Sequence, residues 1–408
     1  MIEKKLIYQH KIIKELYFSN ALSCLDLSLN IDKSLPVTTK VLNDLISEGI
    51  VLETGFATST GGRRPLMYSM KPDVLNIVAV AMDQFVTRIA IMDLQNKLIT
   101  KVENFELSLA GNPDALSFLA QKINEIIDQS GISRAKIAGI GIGMPGFVDL
   151  KKGINYTFLP VTHGSITSYI ANETGIPAYI DNDSSLIALA ELRFGAAIGK
   201  KNAMVVNIGW GIGLGMIFNG ELFRGHNGFA GEFSHIPLFL NGKQCSCGKF
   251  GCLETETSLL VIIDKLKEGL KSGRLSGLKS LSASDFGQFE KTFELISEAA
   301  WKGDQFVIEL FSEAGYEIGR GVAILIHLLN PELVVLSGRG SVIGKIWQAP
   351  VQQSINEHCI PHLSANTTIE ISTLGYRAEL IGAAALVMEN YEQVKSNNEY
   401  TSKAQSVS

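Results

Sequence analysis

Three cysteines fall within eight positions of the segment CSCGKFGCLE, residues 245–254, in a chain that has five cysteines in all. Pairing two of Cys245, Cys247 and Cys252 would leave an odd thiol, so a disulfide framework does not explain them. Zinc takes four soft or borderline ligands in a tetrahedron, and His235, ten residues upstream, completes a Cys₃His set. Because such a set leaves no open position for water, the sequence predicts a structural zinc ion. Three free buried thiols are the alternative.

Zinc at this loop would also fix the carboxylates beside it. Glu254 follows the last cysteine by two residues, and Glu232 precedes His235 by three. The metal would hold two carboxylates and one imidazole in a fixed relation, as a polyhydroxylated ligand requires. Gly248 and Gly251 permit a tight loop whose backbone N–H groups point at the thiolates.

A further carboxylate stands where a strand meets a helix. The stretch IDNDSSLIALAELRFG, residues 180–195, predicts a strand that ends at Asn182 and Asp183, followed by a helix. At such a junction Asp183 could orient a hydroxyl group or accept its proton. Ordinary capping of the helix is the alternative.

The first 72 residues predict a separate DNA-binding module. Ile2 to Tyr17 is an amphipathic stretch, and two further helical stretches follow it, the last beginning near Pro36 and ending at Gly49. This is the order of a helix-turn-helix module. The residues expected on the buried face of the last helix are Val37, Val41, Leu42, Leu45 and Ile46. The residues expected on its outer face, toward DNA, are Thr38, Thr39, Lys40 and Asn43.

Two strands around a glycine-rich tip follow the helices and predict a wing. The tip carries Arg63 and Arg64 beside two glycines, and arginine is attracted by the negative potential of a narrow minor groove. A solvated β-turn is the alternative for the tip alone. Residues 1–70 hold eight lysines and arginines and seven acidic residues, so the DNA affinity of the module would depend on local placement and on two copies.

The remainder of the chain predicts a duplicated α/β body. A meander of apolar strands begins near residue 76, a similar one begins near residue 202, and helical stretches follow each. We therefore expect a first lobe over residues 73–180, a second lobe over 181–390 and a polar tail over 391–408. A duplicated architecture of this kind binds ligands between its lobes.

The overall composition excludes several classes of protein. The net charge of −5 argues against a chain coated with basic residues for nonspecific binding to nucleic acid or membrane. No apolar run reaches transmembrane length, and the lysines near the N-terminus do not form a signal peptide. We expect a cytoplasmic protein, whose reducing surroundings favour metal ligation over disulfides.

In these motifs the sequence resembles the ROK family of bacterial sugar kinases and sugar-responsive repressors. The resemblance lies in the Asn182-Asp183 pair, the Gly143–Gly146 turn, the wing residues 59–65 and the cysteine loop. In the cysteine loop and the segment before it, the matching residues are Gly231, Glu232, His235, Cys245, Cys247, Gly248, Gly251, Cys252 and Glu254. The wing resembles that of the N-acetylglucosamine and xylose regulators.

The resemblance implies an actin-like, hexokinase-type body with a ribonuclease H-like ATPase fold. It implies that a sugar contacts Asn182, Asp183, Glu232, His235 and Glu254. Asp183 would correspond to the catalytic base of the kinases, here a vestige. The segment LPVTHGS, residues 159–165, differs from the family's sugar-contacting region and leaves the identity of the sugar open.

Two aromatic residues depart from the kinase pattern. Phe85 stands where the kinases' Asp-x-Gly-x-Thr hairpin has glycine, and Trp210 interrupts a second glycine-rich hairpin between Gly209 and Gly211. Glycine lets backbone approach a phosphate, so these bulky residues leave little room for a triphosphate and its magnesium. We expect no catalytic residues. Gly338 and Gly340 keep some likeness to the adenosine side.

These observations favour a transcriptional repressor of a carbohydrate-use operon. A homodimer or homotetramer would bind operator DNA of two-fold symmetry, and a sugar or sugar phosphate would release it. The competing hypothesis is a sugar kinase with an accessory N-terminal module.

Overall fold

The N-terminal module contains three helices and a small antiparallel sheet. The computed structural model of the protein describes residues 2–58, 64–161 and 164–391. The first elements are α1 (Ile2–Ser19), β1 (Leu22–Ser23), α2 (Cys24–Asn30), α3 (Leu35–Ser47), β2 (Val51–Phe56) and β3 (Leu66–Met70). β2 and β3 form the two predicted strands of the wing, and β1 pairs with β3. The predicted wing tip, including Arg63, lies outside the described residues, whereas Arg64 is described and exposed.

A five-stranded sheet follows the module. Its strands and the elements among them are β4 (Asn76–Met82), β5 (Val86–Asp93), β6 (Glu103–Glu106), α4 (Ala115–Ser130), β7 (Ile137–Met144), β8 (Val148–Asp149), β9 (Ile154–Asn155), α5 (Ile166–Thr174) and β10 (Ala178–Asn182). The order across the sheet is β10-β7-β4-β5-β6, with β4, β5 and β6 antiparallel and β7 and β10 parallel to β4. β8 and β9 form a separate hairpin.

A second five-stranded sheet has the same topology. The remaining elements are α6 (Asp183–Phe194), β11 (Ala203–Ile208), β12 (Ile212–Phe218), β13 (Glu221–Phe223), α7 (Glu254–Thr257), α8 (Leu259–Lys271), α9 (Phe289–Trp301), α10 (Gln305–Leu329), β14 (Leu333–Ser337), α11 (Lys345–His358), α12 (Pro361–Ser364), β15 (Thr368–Ile371) and α13 (Ala378–Glu389). The order is β13-β12-β11-β14-β15, again a meander joined by two parallel strands. The predicted duplication is therefore confirmed. No helix in the described part of the chain is long and apolar enough to cross a membrane.

The last helix returns to the first half of the chain, which corrects the predicted boundary at residue 390. One compact unit holds the chain up to Asp183 together with the segment from Leu380, and the other holds Ser184–Glu379. The reason is the glycine alternation of β7. A Cβ on Gly141 would lie 1.9 Å from the carbonyl oxygen of Ala383, so only glycine lets α13 approach the sheet this closely.

Helix α1 contacts later segments of the first unit, including the last helix and the residue Tyr391 beyond it. The Tyr17 hydroxyl donates to Asn96 Oδ1 at 2.6 Å. The Lys14 ammonium donates to the carbonyl oxygen of Glu389 at 3.0 Å. The rings of His10 and Tyr391 meet edge to face with centroids 5.1 Å apart. Tyr391 is buried, so the predicted polar tail begins one residue too early; residues 392–408 lie outside the described part.

Candidate metal centre and ligand-binding residues

The four predicted metal ligands converge on one point. The ligand atoms of His235, Cys245, Cys247 and Cys252 all lie within 4.8 Å of one another. Cys247 Sγ and Cys252 Sγ are 3.7 Å apart, and Cys245 Sγ lies 3.5 Å from His235 Nδ1. A zinc ion with bonds of ordinary length in a regular tetrahedron separates two sulfurs by about 3.8 Å and a sulfur from a nitrogen by about 3.5 Å. The donor set and its spacing therefore fit a structural Zn²⁺.

Glycines allow the loop to bring these ligands together. Gly248 and Gly251 both have positive φ, as the predicted tight loop requires. A Cβ on Gly251 would lie 2.0 Å from the carbonyl oxygen of Phe239, so the loop cannot close with any other residue there. The backbone N–H of Cys245 donates to the carbonyl oxygen of Lys249 at 2.8 Å. This bond closes the turn that contains Cys247.

The thiols differ in electrostatic environment. The backbone N–H of Lys249 lowers the pKa of Cys247, whose side chain is exposed. Burial raises the pKa of Cys252 to about 12, because a buried thiolate without a counter-charge is unfavourable. A divalent cation would supply that counter-charge and deprotonate the buried thiol. The electrostatic environment of these thiols is therefore compatible with a cation at the cluster.

Two of the five predicted sugar ligands, Glu232 and Glu254, lie near His235, which is predicted both as a sugar ligand and as a metal ligand. His235 turns Nδ1 toward Cys245, and its Nε2 lies 3.7 Å from a carboxylate oxygen of Glu232. A carboxylate oxygen of Glu254 accepts the backbone N–H of Ile212 at 3.3 Å. Burial raises the pKa of both glutamates, and the Glu254 charge raises that of Glu232 further. An exposed carboxylate on Glu232 and a half-buried one on Glu254, beside an imidazole, are suited to accept hydrogen bonds from hydroxyl groups.

The other two predicted sugar ligands belong to the first unit. Asn182 is the last residue of β10, opposite Met144 in the parallel register with β7, and Asp183 begins α6. The Asn182 side-chain amide donates to the carbonyl oxygen of Gly146 at 3.2 Å. The Asn182-Asp183 pair and the Gly143–Gly146 turn, which the sequence placed some 40 residues apart, are therefore neighbours.

The first hairpin in which an aromatic residue replaces a glycine of the kinases is the turn at Phe85. Its backbone N–H groups are hydrogen-bonded within the turn itself. Asp83 Oδ1 accepts the backbone N–H groups of Phe85 at 2.8 Å and of Val86 at 2.7 Å. Backbone N–H groups at such a turn are the donors with which a loop holds a phosphate. In this chain a carboxylate of the same turn already takes them.

The second hairpin is filled by an aromatic and cationic stack that the sequence did not reveal. Trp210 is buried, and the Arg339 guanidinium lies 4.2 Å from the centre of its ring and 4.2 Å from that of Tyr376. Glu290 forms an ion pair with Arg339 and accepts the Tyr376 hydroxyl at 3.0 Å. Phe289 and Phe293 pack against Trp210 from α9. Cation–π contacts of one buried guanidinium with both rings help to hold the tryptophan in place.

The predicted outer face of α3 is wrong at one residue. Thr38 is fully buried, and its hydroxyl donates to the carbonyl oxygen of Ser34 at 3.2 Å. Val37, predicted to be buried, is exposed. The buried residues are spaced i, i+3, i+4 and i+7, the stripe that an α-helix turns toward a core. These residues are Thr38, Val41, Leu42 and Leu45.

The other three predicted DNA contacts on α3 share one surface. Thr39, Lys40 and Asn43 are exposed and line a shallow depression. The depression is completed by Leu35, Pro36 and Asp44. A polar, cation-bearing helix face beside a two-stranded wing is the arrangement with which such modules enter a major groove.

Comparison with known proteins relates most of the chain to one family. The sequence profile described as the ROK family matches residues 80–390. A xylose repressor of Caldicellulosiruptor bescii is 28% identical over 95% of this chain and 96% of its own length. A glucokinase of Halalkalibacterium halodurans is 32% identical over 65% of this chain and 81% of its own length.

A solved structure resembles the chain over almost its full length. It is a ROK family transcriptional regulator described as a homologue of the E. coli MLC protein, and it covers 96% of this chain and 98% of its own. The TM-score is 0.76 and the sequence identity is 25%. The α/β body is thus of the actin-like, kinase-type architecture that the sequence predicted.

Proposed function

We propose that this chain, which belongs to the ROK family, is a transcriptional repressor that binds operator DNA and is released by a sugar or sugar phosphate. The observation that carries the proposal is the extent of the matches. A xylose repressor matches 95% of the chain and a transcriptional regulator covers 96%, which includes most of the N-terminal module, whereas a glucokinase matches 65%. The module is what separates this chain from a kinase.

The zinc ion would brace the sugar-binding residues without taking part in chemistry. His235 would ligate zinc through Nδ1 and hold Glu232 through Nε2, while Cys252 would fix the start of the helix that carries Glu254. Asn182 and Asp183 would supply the remaining hydroxyl contacts. Zinc here would contribute folding free energy and the orientation of its neighbours.

Two copies would read the operator. The N-terminal module is nearly neutral, so one copy would bind DNA weakly, and a two-fold symmetric pair of half-sites would give the affinity. Sugar binding would lower DNA affinity only if the sugar prefers the conformation that DNA disfavours.

Replacing Lys40 with alanine tests the DNA-binding part of the proposal. We expect the wild-type protein to enrich a palindromic sequence from a random duplex library. Lys40→Ala should then bind that duplex more weakly, and the slope of log affinity against log salt should fall by about one per copy, because one phosphate contact is lost. Fluorescence anisotropy across a salt series measures both. Lys151→Ala, an exposed lysine of the body, should match the wild type; if no duplex is enriched, the proposal fails.

A sugar kinase is the second candidate, because glucokinases are among the relatives. The closed Asp83 turn and the Trp210 stack oppose it, since both occupy groups that a nucleotide would need. We therefore expect no production of ADP from ATP with xylose, N-acetylglucosamine or glucose in a coupled assay. Turnover that Asp183→Asn abolishes would establish the kinase instead.

A further inference from the structure

The depression on α3 has an apolar end and a polar end. Leu35 is 46% exposed and lies beside Pro36, and the Thr39 hydroxyl donates to the carbonyl oxygen of Leu35 at 2.8 Å. Because the hydroxyl proton is engaged, Thr39 keeps its methyl group and the hydroxyl oxygen as contact groups. Lys40 and Asn43 provide the polar end. A single exposed leucine is ordinary on a protein surface, but here it shares one depression with an amide and an ammonium group.

The charges around the depression favour an anionic partner. Asp44, the acidic residue of its lining, forms an ion pair with Lys5 of α1 at 3.0 Å. Glu48, one turn further along, is held by the Gln9 side-chain amide at 3.2 Å. Lys40 is exposed and forms no ion pair with any described residue. The acidic residues of this face are thus partly compensated from α1, while the lysine is left for the partner.

The chemistry of the two ends matches one base pair. In the major groove an A·T pair presents the thymine C5-methyl group together with N6 and N7 of adenine. Asparagine pairs with those two adenine atoms through its side-chain amide, and aliphatic side chains contact the methyl group. A guanine–cytosine pair offers no methyl group for the apolar end.

We propose that this depression reads an A·T base pair in each operator half-site. Leu35 contacts the thymine methyl group and Asn43 binds the adenine, and Lys40 holds a phosphate nearby. This inference rests on the proposed function, because it names what the DNA-binding helix recognises. It makes Leu35 a determinant of sequence specificity, a role that the sequence pattern did not suggest.

The helix provides a matched control. Val37 is 39% exposed and also apolar, but it does not line the depression. Replacement of either residue by alanine on an exposed helix position leaves the core of the module unchanged. A general loss of apolar surface would affect both variants alike, whereas recognition by the depression involves Leu35 alone.

Base analogues in the selected duplex test the inference with the full-length protein. Deoxyuridine replaces each thymine in turn and removes only the methyl group, and 7-deazaadenine replaces each adenine and removes N7. We expect one thymine per half-site at which the wild type binds the uracil duplex about four-fold more weakly, the value of one buried methyl group. Leu35→Ala should bind both duplexes equally, and Val37→Ala should keep the four-fold difference. Asn43→Ala should lose the discrimination against 7-deazaadenine at the paired position.

The other outcomes of this experiment distinguish failure of the repressor proposal from failure of the base-pair inference. If no duplex is enriched, DNA binding fails and the inference falls with it. If a duplex is enriched but no thymine shows the methyl effect, the repressor proposal stands and the inference is overturned. Discrimination that survives in Leu35→Ala, or disappears in Val37→Ala, overturns it as well.

Discussion

Replacement of Cys247 by alanine is expected to remove zinc from the protein and to lower its melting temperature. Cys247 is exposed, so the loss of its own packing costs little, and any large destabilisation has to come from the metal. Structural zinc contributes folding free energy directly. A loss of about 4 kcal/mol would lower the melting temperature by about 8–16 °C for a unit of this size. Atomic emission for zinc content and calorimetry for the transition measure the two effects together.

Cys359 supplies the matched comparison. It is a buried cysteine that is not part of the cluster, so Cys359→Ala should lose some packing free energy and keep its full zinc content. Cys247→Ala would then lose both zinc and stability, whereas Cys359→Ala would lose stability alone. Unchanged zinc stoichiometry in Cys247→Ala would contradict the metal assignment and return the loop to three free thiols.

The convergence of the four candidate zinc ligands could be predicted from sequence because the information is local. All four ligands fall between residues 235 and 252, and glycines with positive φ mark the turns among them. The same holds for the β12–β13 hairpin, where Asn219 and Gly220 both adopt positive φ. In each case neighbours in the chain decide the geometry, so residue type and spacing are sufficient.

Contacts between segments that are far apart in the sequence could not be predicted from residue type and spacing in this way. Arg339 lies 129 residues after Trp210 in the chain, and nothing in either segment indicates that the guanidinium fills the hairpin. The return of α13 to β7 was missed for the same reason, although two glycines on one face of β7 indicate a closely packed helix. The error on α3 was different. Val37 was assigned to the buried face by residue type, while the helical spacing of its neighbours favours Thr38.

These distant contacts also define how the proposed signal would travel. The chain passes between the two units at Asp183–Ser184 and at Glu379–Leu380, and the second crossing lies within α13. The end of α13 holds Lys14, and Tyr391 just beyond it holds His10. On its other side α1 reaches α3 through Gln9 and Lys5. Helix α1 thus contacts both the body and the proposed recognition helix.

Removing the polar contacts between α1 and the body is expected to abolish the response to sugar while leaving both binding reactions intact. The double variant Lys14→Met, Tyr17→Phe loses the bonds to Glu389 and Asn96 but keeps the apolar packing of α1. A coupling of typical size changes DNA affinity about 5- to 150-fold when the effector binds. In the double variant we expect this ratio to approach one, because α1 keeps its apolar packing but loses the directional bonds that transmit a shift of the body.

Three measurements distinguish a loss of coupling from a loss of sugar binding or DNA binding. A melting-temperature screen of xylose, N-acetylglucosamine and glucose identifies the effector, calorimetry gives its affinity, and anisotropy gives DNA affinity with and without it. The double variant should match the wild type in the two single-ligand affinities and differ only in their coupling. Lys11→Met, on the same helix and without a described contact to the body, should retain the full ratio. An unchanged ratio in the double variant would place the coupling elsewhere. Reciprocity gives a second reading of the same quantity, since DNA must change the affinity for sugar by the same factor as sugar changes the affinity for DNA.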